Sequence, residues 1–397
     1  MVLGAIEGVV LLYFFYVAGY TFVFSLSAHF YRNPKRQENK KGRFAVFIPA
    51  YKEDGVILDV AQRALQQDYP SDKFRVIIIA DSLQKETVVQ LRSLPIEVVE
   101  VVFDSSTKVK SLNAALKAVG NDFDYAVILD ADNIMLPGFL SELNGVHNTG
   151  VKAIQGQRQP KNMDTSMAFL DGLSEAINNH IYRQGSTALG LSTSISGSGV
   201  SFDFHVFKEL LGGMTSVGGF DRELELLLLG RGISVIYCKN AKILDEKVRK
   251  TEVFENQRKR WISSQYHYLA KYFKRGCIAL LKGNFTYFNS SVLRNIQLPR
   301  LINLGLLMIS CFLLYFMRDY LFFEYKTWPL LLGIMIMSML ISIPREFFSR
   351  KLLKAVMQLP EIFFRMFLLL FRLGEANKKF IHTPHGAPLA EKPRSSK

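Results

Sequence analysis

From residue 43 onward, short apolar runs alternate with stretches of helical spacing. "RFAVFIPA" reads as a strand, residues 55–67 carry apolar positions at helical spacing, and "FRVIIIAD" reads as a second strand. Residues 84–93 are helical in pattern, "EVVEVVF" is a third strand, 110–119 a helix and "YAVILDAD" a fourth strand. Runs of Val and Ile this continuous, separated by helices, predict a mainly parallel α/β sheet covered on both faces. Ligands of such sheets bind beyond the carboxyl ends of the strands. The polar residues there are Tyr51, Glu53 and Asp54 after the first strand, Asp81 after the second, and Asp130 and Asp132 after the fourth.

A different pattern brackets this region. Residues 8–30 contain no Lys, Arg, Asp or Glu, and a bilayer core takes about 20 apolar residues. Lys35, Arg36, Lys40, Lys41 and Arg43 follow, against the single Glu38. A cleaved signal peptide carries its positive charge before a shorter apolar core. Here the charge comes after, so the segment reads as a signal anchor with the following domain in the cytosol. Residues 301–317 and 327–343 are two more uncharged runs joined by "RDYLFFEYK", which predicts a helical hairpin through the bilayer. Residues 352–373 are interrupted by Lys354, Glu361, Arg365 and Arg372 and read as an amphipathic helix in the interface. The basic tail with Lys378 and Lys379 favours a cytosolic C-terminus. "YHYLAKYFKRGCIALLKG" reads as an interfacial helix with Tyr and Phe on one side and Lys271, Lys274 and Arg275 outward. The expected organisation is a signal anchor over 1–31, a cytosolic globular domain over 32–262, interfacial helices over 263–300, a transmembrane hairpin over 301–343, and an interfacial or transmembrane helix with a basic tail over 344–397.

The chain of 397 residues is 49% hydrophobic with a formal net charge of +14. That charge suits nucleic acid, an anionic membrane face or phosphorylated substrates. The Lys and Arg residues cluster beside the apolar runs, so anionic lipid accounts for them and no nucleic-acid partner is expected. Cys238, Cys277 and Cys311 are far apart and odd in number, and they read as reduced, incidental thiols, so the bulk of the chain is expected to face the cytosol.

The end of the first strand carries neither G-x-G-x-x-G nor G-x-x-x-x-G-K-[ST], so the usual phosphate cradles are missing there. "VILDADN" places Asp130 and Asp132 two apart where a strand gives out, and period-two geometry would aim both carboxylates to one side. Two hard oxygen donors suit Mg²⁺ or Mn²⁺, which is commonly completed by substrate phosphates. The bland alternative is a turn, where Asp and Asn are favoured for local hydrogen bonding.

"FIPAYKED", "IIIADS", "KVKSLNAAL", "VILDADN", "FDRELELLLLGRG" and "QRKRW" together resemble, in order, the motif series of family 2 inverting glycosyltransferases, in their membrane-embedded cellulose, chitin and hyaluronan synthase branch. The likeness spans about residues 44–261. It implies a GT-A fold and a nucleotide-diphosphate sugar, usually UDP-linked, as donor. It implies that Tyr51 and Glu53 line the nucleotide pocket, that Asp81 meets the base, and that Lys108 contacts phosphate, with Lys110 as a rival. Asp130 would lie against nucleotide and metal, and Asp132 would be the main metal ligand. Asp221 matches the general-base aspartate, although Phe220 stands where the family usually has Glu. Glu223 and Glu225 are alternatives. "ISGSGVSF", residues 195–202, resembles the small-residue segment beside the acceptor, with Gly197 and Gly199 giving the backbone its freedom.

The resemblance also gives a reason for the basic run before one of the chain's two tryptophans. In Q-x-x-R-W, here Gln257, Arg260 and Trp261, the fixed charge and planar fork of the arginine suit a diphosphate. The indole offers a flat apolar face to a sugar ring. A membrane-anchoring Trp beside basic residues is the bland alternative. The expected function is transfer of a sugar to a growing poly- or oligosaccharide. One rival is a non-processive enzyme with a lipid-linked acceptor, and another is a membrane-tethered binding module without activity. Three spans are few for a wide channel, so a homo-oligomer or an export partner is expected if a polymer is to cross. The expected location is an integral protein of the cell or inner membrane.

Overall fold

The computed structural model describes residues 2–373, and the basic tail with Lys378 and Lys379 lies outside them. The sheet is built from β1 Phe44–Tyr51, β2 Phe74–Asp81, β3 Glu97–Val101, β4 Tyr125–Ile128, β5 Ile134–Met135, β6 Ala153–Pro160, β7 Val200–Asp203 and β8 Ile236–Asp245. Their order is β3-β2-β1-β4-β7-β6-β8-β5. The first four strands are parallel, as the apolar runs predict. The second half is mixed, because β7 runs antiparallel to both β4 and β6, while β6 and β8 are parallel.

The near-continuous apolar character of β1 follows from burial on both faces. Phe44, Val46, Ile48 and Ala50 pack with Ile57, Val60 and Ala61 of the helix Ile57–Ala64. Ala45 and Phe47 face the other way, onto Leu112 and Ala115 of the helix Lys108–Ala118 and Phe207 of the helix Phe204–Gly212. All the carboxyl ends of the parallel strands therefore open on one rim.

The helix Val2–Ser27 packs against the helices Arg300–Phe316 and Thr327–Ser342 through Phe14, Val17, Leu307, Trp328, Leu331 and Met335. Its opposite face leaves Val9, Leu12 and Phe15 exposed. Among the described residues, only Gly4–Phe30 is by itself long and apolar enough to cross a membrane, with 27 residues and a mean hydropathy of 2.0. The expected hairpin is less simple. Phe285–Ile296 and Arg300–Phe316 pass the same test only together, bent by 56°. Thr327–Ser342 has 16 residues, or roughly 24 Å at a rise of about 1.5 Å per residue.

One face of the N-terminal helix is tied to the helical segments of residues 289–303 by hydroxyls at helical spacing. Tyr13 donates to Asn303 Oδ1 at 2.9 Å, Tyr16 to the Leu293 carbonyl at 2.5 Å, and Tyr20 to Asn289 Oδ1 at 2.9 Å. The segment expected as an interfacial helix is the second half of one 31-residue helix, Thr251–Leu281, so the expected boundary at residue 262 falls inside it. Tyr268 and Tyr272 are buried against Leu226, Leu229 and Tyr287, and Lys271 turns back to Glu223, so this face is covered by protein. Residues 352–373 form two helices, Arg350–Val356 and Leu359–Leu370, whose apolar side meets Phe169, Phe254 and Ile302.

Candidate active site

Tyr51 and Asp81 are register partners at the carboxyl ends of β1 and β2. The next residue of each strand is left-handed without being glycine: Lys52 has φ 56° and Ser82 φ 58°. Such backbone costs on the order of 1–3 kcal/mol per residue and persists where surrounding structure enforces it, often at binding sites. The two turns carry both chains off the rim together, and Lys52 N–H bonds the Asp81 carbonyl at 3.1 Å. Asp81 is 1% exposed, its Oδ1 accepting from Ser82 Oγ at 3.1 Å. Its Oδ2 is buried with no hydrogen-bond partner among the described residues, an acceptor that a bound ligand's N–H could satisfy. Glu53 is buried beside them.

The strand expected over residues 125–132 ends at Ile128, so a turn, rather than strand pleat, directs the two carboxylates. Asn133 N–H closes that turn on the Asp130 carbonyl at 3.1 Å. The two acids differ: the Asp130 side chain is 38% exposed, whereas Asp132 is buried at 5%. Lys108 Nζ donates to Asp130 Oδ1 and, at 2.8 Å, to the Gly197 carbonyl. Its rival Lys110 points outward to the Ser105 carbonyl at 2.7 Å. Among the described residues no three His, Cys, Asp or Glu side chains are grouped to hold a metal. Asp130 and Asp132 are two hard oxygen donors, a fit for a divalent ion that takes its other ligands from phosphate and water.

Asp221 lies in the first turn of the helix Phe220–Gly230. Its Cβ would be 3.7 Å from a Cβ built at Gly197, so the acid sits directly against the segment that Lys108 bonds. Burial raises its pKa above the usual aspartate value, against the opposing pull of Arg222 and Lys108, and Glu225 raises it further. The two alternative acids of this helix are each paired with a cation. Glu223 accepts from Lys271, and Glu225 from Arg294 and, at 3.1 Å, from Ile195 N–H. Of the three acids, Asp221 is the one nearest Gly197.

Gly197 and Gly199 have φ of 78° and 62°, conformations that disfavour any side chain. A Cβ at Gly199 would stand 2.6 Å from Ile243 Cδ1. Gly199→Ala therefore combines left-handed strain with overpacking, and a loss of about 2–4 kcal/mol is expected. A thermal or denaturant midpoint checks this.

On the helix Thr251–Leu281, Gln257, Arg260 and Trp261 fall at i, i+3 and i+4, one stripe of its surface. Burial lowers the pKa of Arg260, and Asp130 is the acid close enough to oppose that shift. Arg258 turns away to Asp171 at 2.6 Å and lies 4.3 Å from the Trp261 ring centroid, covering one face of the indole. At most one face is left for stacking, a restriction the sequence did not show. Gln257 Oε1 is buried without a hydrogen-bond partner among the described residues.

Residues 42–264 match the family described as Glycosyltransferase like family 2. The chain belongs to that family. Its fold is shared with the mannosyltransferase PcManGT from Pyrobaculum calidifontis, solved with GDP-Man and Mn²⁺: TM-score 0.53, 15% identity, covering 82% of this chain and 94% of that one. The likeness thus extends past the segment that the family match covers. Two further structures align less well. S. aureus TarS has 14% identity and TM-score 0.38 over 52% of this chain and 37% of its own. Glucosyl-3-phosphoglycerate synthase from Mycobacterium tuberculosis, with Mn²⁺, UDP and glucosyl-3-phosphoglycerate, has 15% identity and TM-score 0.37 over 54% and 75%. A comparison of the sequence with curated proteins gives no match.

Beneath the rim of this glycosyltransferase lies a buried ionic layer that sequence reasoning missed. Arg158 bonds Asp245 at 3.0 Å, Lys247 also reaches Asp245, and Arg183 bonds Glu175 at 2.8 Å. Charges in β6 and across the end of β8, "QGQRQP" and "KILDEK", were the available signal, since buried charge needs a partner.

Proposed function

We propose that this chain is a membrane-bound, inverting glycosyltransferase that moves a sugar from a nucleotide-diphosphate sugar onto a growing poly- or oligosaccharide. One observation carries the reading. Residues from four separate elements meet on one rim: Lys108 and Asp130 in an ion pair, Arg260 within reach of Asp130, and Asp221 against the glycine that Lys108 bonds. An acceptor hydroxyl held by segment 195–202 gives its proton to Asp221 as it attacks the anomeric carbon. The donor's C–O bond breaks with inversion through an oxocarbenium-like state, and the nucleoside diphosphate leaves against Lys108 and Arg260. Tyr51, Glu53 and Asp81 form the nucleotide pocket, and Gln257 and Trp261 border the acceptor. Asp130 and Asp132 would hold Mg²⁺ or Mn²⁺, which supplies charge to offset the diphosphate; PcManGT was solved with Mn²⁺.

The test is to incubate membranes carrying the chain with a panel of UDP- and GDP-sugars and Mg²⁺ or Mn²⁺, scoring diphosphate release and product length. Long, water-soluble product is expected. Product in the organic phase carrying one sugar would transfer the assignment to a lipid acceptor. Absence of any donor turnover would leave a membrane-tethered binding module.

Membrane attachment rests on the apolar helix Gly4–Phe30 and the outward apolar face of its bundle. Extraction is the check: the full chain is expected to stay with membranes through an alkaline carbonate wash and to need detergent for release. Release by carbonate would exclude integral insertion.

A further inference from the structure

The two acids of the D-x-D turn are held by different devices, and the devices are bonded to each other. Asn133, fully buried, donates one Nδ2 hydrogen to Asp132 Oδ1 at 3.0 Å and the other to Asp245 Oδ1 at 2.9 Å. Its own Oδ1 accepts from the Ser198 hydroxyl. That same Ser198 oxygen accepts the main-chain N–H of Asp130 at 2.9 Å. Ser198 lies between Gly197 and Gly199, in the segment proposed to border the acceptor. Asp245 is fixed from its far side by Arg158, whose other nitrogen bonds the Ser196 carbonyl at 3.1 Å. Both hydrogens and the oxygen of the Asn133 amide are thus used, in a site closed to water.

We infer that Asn133 is a positioning residue, which sets the Asp132 carboxylate for a divalent cation and locks the donor-side turn to the acceptor-side segment through Ser198. The inference rests on the glycosyltransferase reading and adds to it a residue that touches neither sugar. Its chemistry is specific to an amide. Asp at this position would set a third carboxylate between Asp132 and Asp245, with no hydrogen to give either. A residue lacking both groups would take one hydrogen bond away from the Asp132 carboxylate and would leave the Asp245 oxygen short of one donor. Groups that orient a metal ligand commonly change metal affinity by about 10- to 100-fold when removed.

The experiment measures binding in the intact chain in detergent. Mn²⁺ is titrated calorimetrically in the presence of UDP and, separately, of GDP, for the wild type, Asn133→Ala and Ser198→Ala, with thermal midpoints recorded alongside. Asn133→Ala is expected to weaken Mn²⁺ binding by about tenfold or more, and Ser198→Ala by less, because it removes one anchor of the amide and leaves its bond to Asp132. An Asn133→Ala chain that melts earlier yet binds Mn²⁺ as tightly as wild type would overturn the inference and make the residue purely structural. Should Asn133→Ala fail to fold, the decision passes to Ser198→Ala, where unchanged Mn²⁺ affinity overturns the inference and weakened affinity supports it. A wild type that binds neither nucleotide with Mn²⁺ defeats the functional reading itself, an outcome distinct from equal binding by wild type and variant.

Discussion

Asp221→Asn is expected to lower the rate of sugar transfer by about 10²- to 10⁴-fold, the usual range for removing a positioned general base, while donor binding changes little. The isosteric amide keeps the contact with Gly197 and removes only the ability to take a proton. The same residue predicts the shape of the pH profile. A base works when deprotonated, so activity should fall as pH drops through its pKa. Burial raises that pKa above the ordinary aspartate value, so the acid limb of kcat/KM should lie above the range of an exposed aspartate. Loss of that limb in Asp221→Asn would tie it to this residue. Full transfer by the variant would move the role elsewhere, and Glu223 and Glu225 are poor heirs because both are held by cations.

Asp132→Asn should act on a different step. It preserves shape and the bond from Asn133, yet removes the negative charge proposed to hold the cation. Turnover is expected to fall by about 10²- to 10³-fold, the scale of losing one electrostatic stabiliser of a leaving group, and the metal concentration needed for half-maximal turnover should rise. The two variants thus separate, since Asp221→Asn leaves metal dependence unchanged. Normal turnover and metal dependence in Asp132→Asn would remove the acid from the site. Asp130→Asn is the more ambiguous variant, because it also removes the negative charge paired with the Lys108 ammonium.

Much of the sheet was legible because burial on both faces forces continuous apolar strands, and β1 to β4 show that pattern in parallel order. The reversal at β7 was not legible. "VSFD" is a strand of four residues, too short to announce its direction, and its neighbours are fixed only when β4 and β6 close on it from either side. The D-x-D pair was found by its place after an apolar strand, but its geometry was misjudged, since the strand stops before the first acid and the turn takes over.

The family resemblance brought in Gln257, Arg260 and Trp261, whereas local spacing was enough to mark residues 8–30 as an uninterrupted apolar helix and to give the carboxylates after β1, β2 and β4. These are properties of neighbours along the chain, governed by helix and strand period. Three things were decided only by folding: the choice of Lys108 over Lys110, the covering of one indole face by Arg258, and the role of Asn133. Each depends on partners 20 or more residues away. Spacing says which way a side chain leaves its own element. Which donor meets which acceptor is set where separate elements pack, because a buried polar group must find its partner there or leave its desolvation uncompensated.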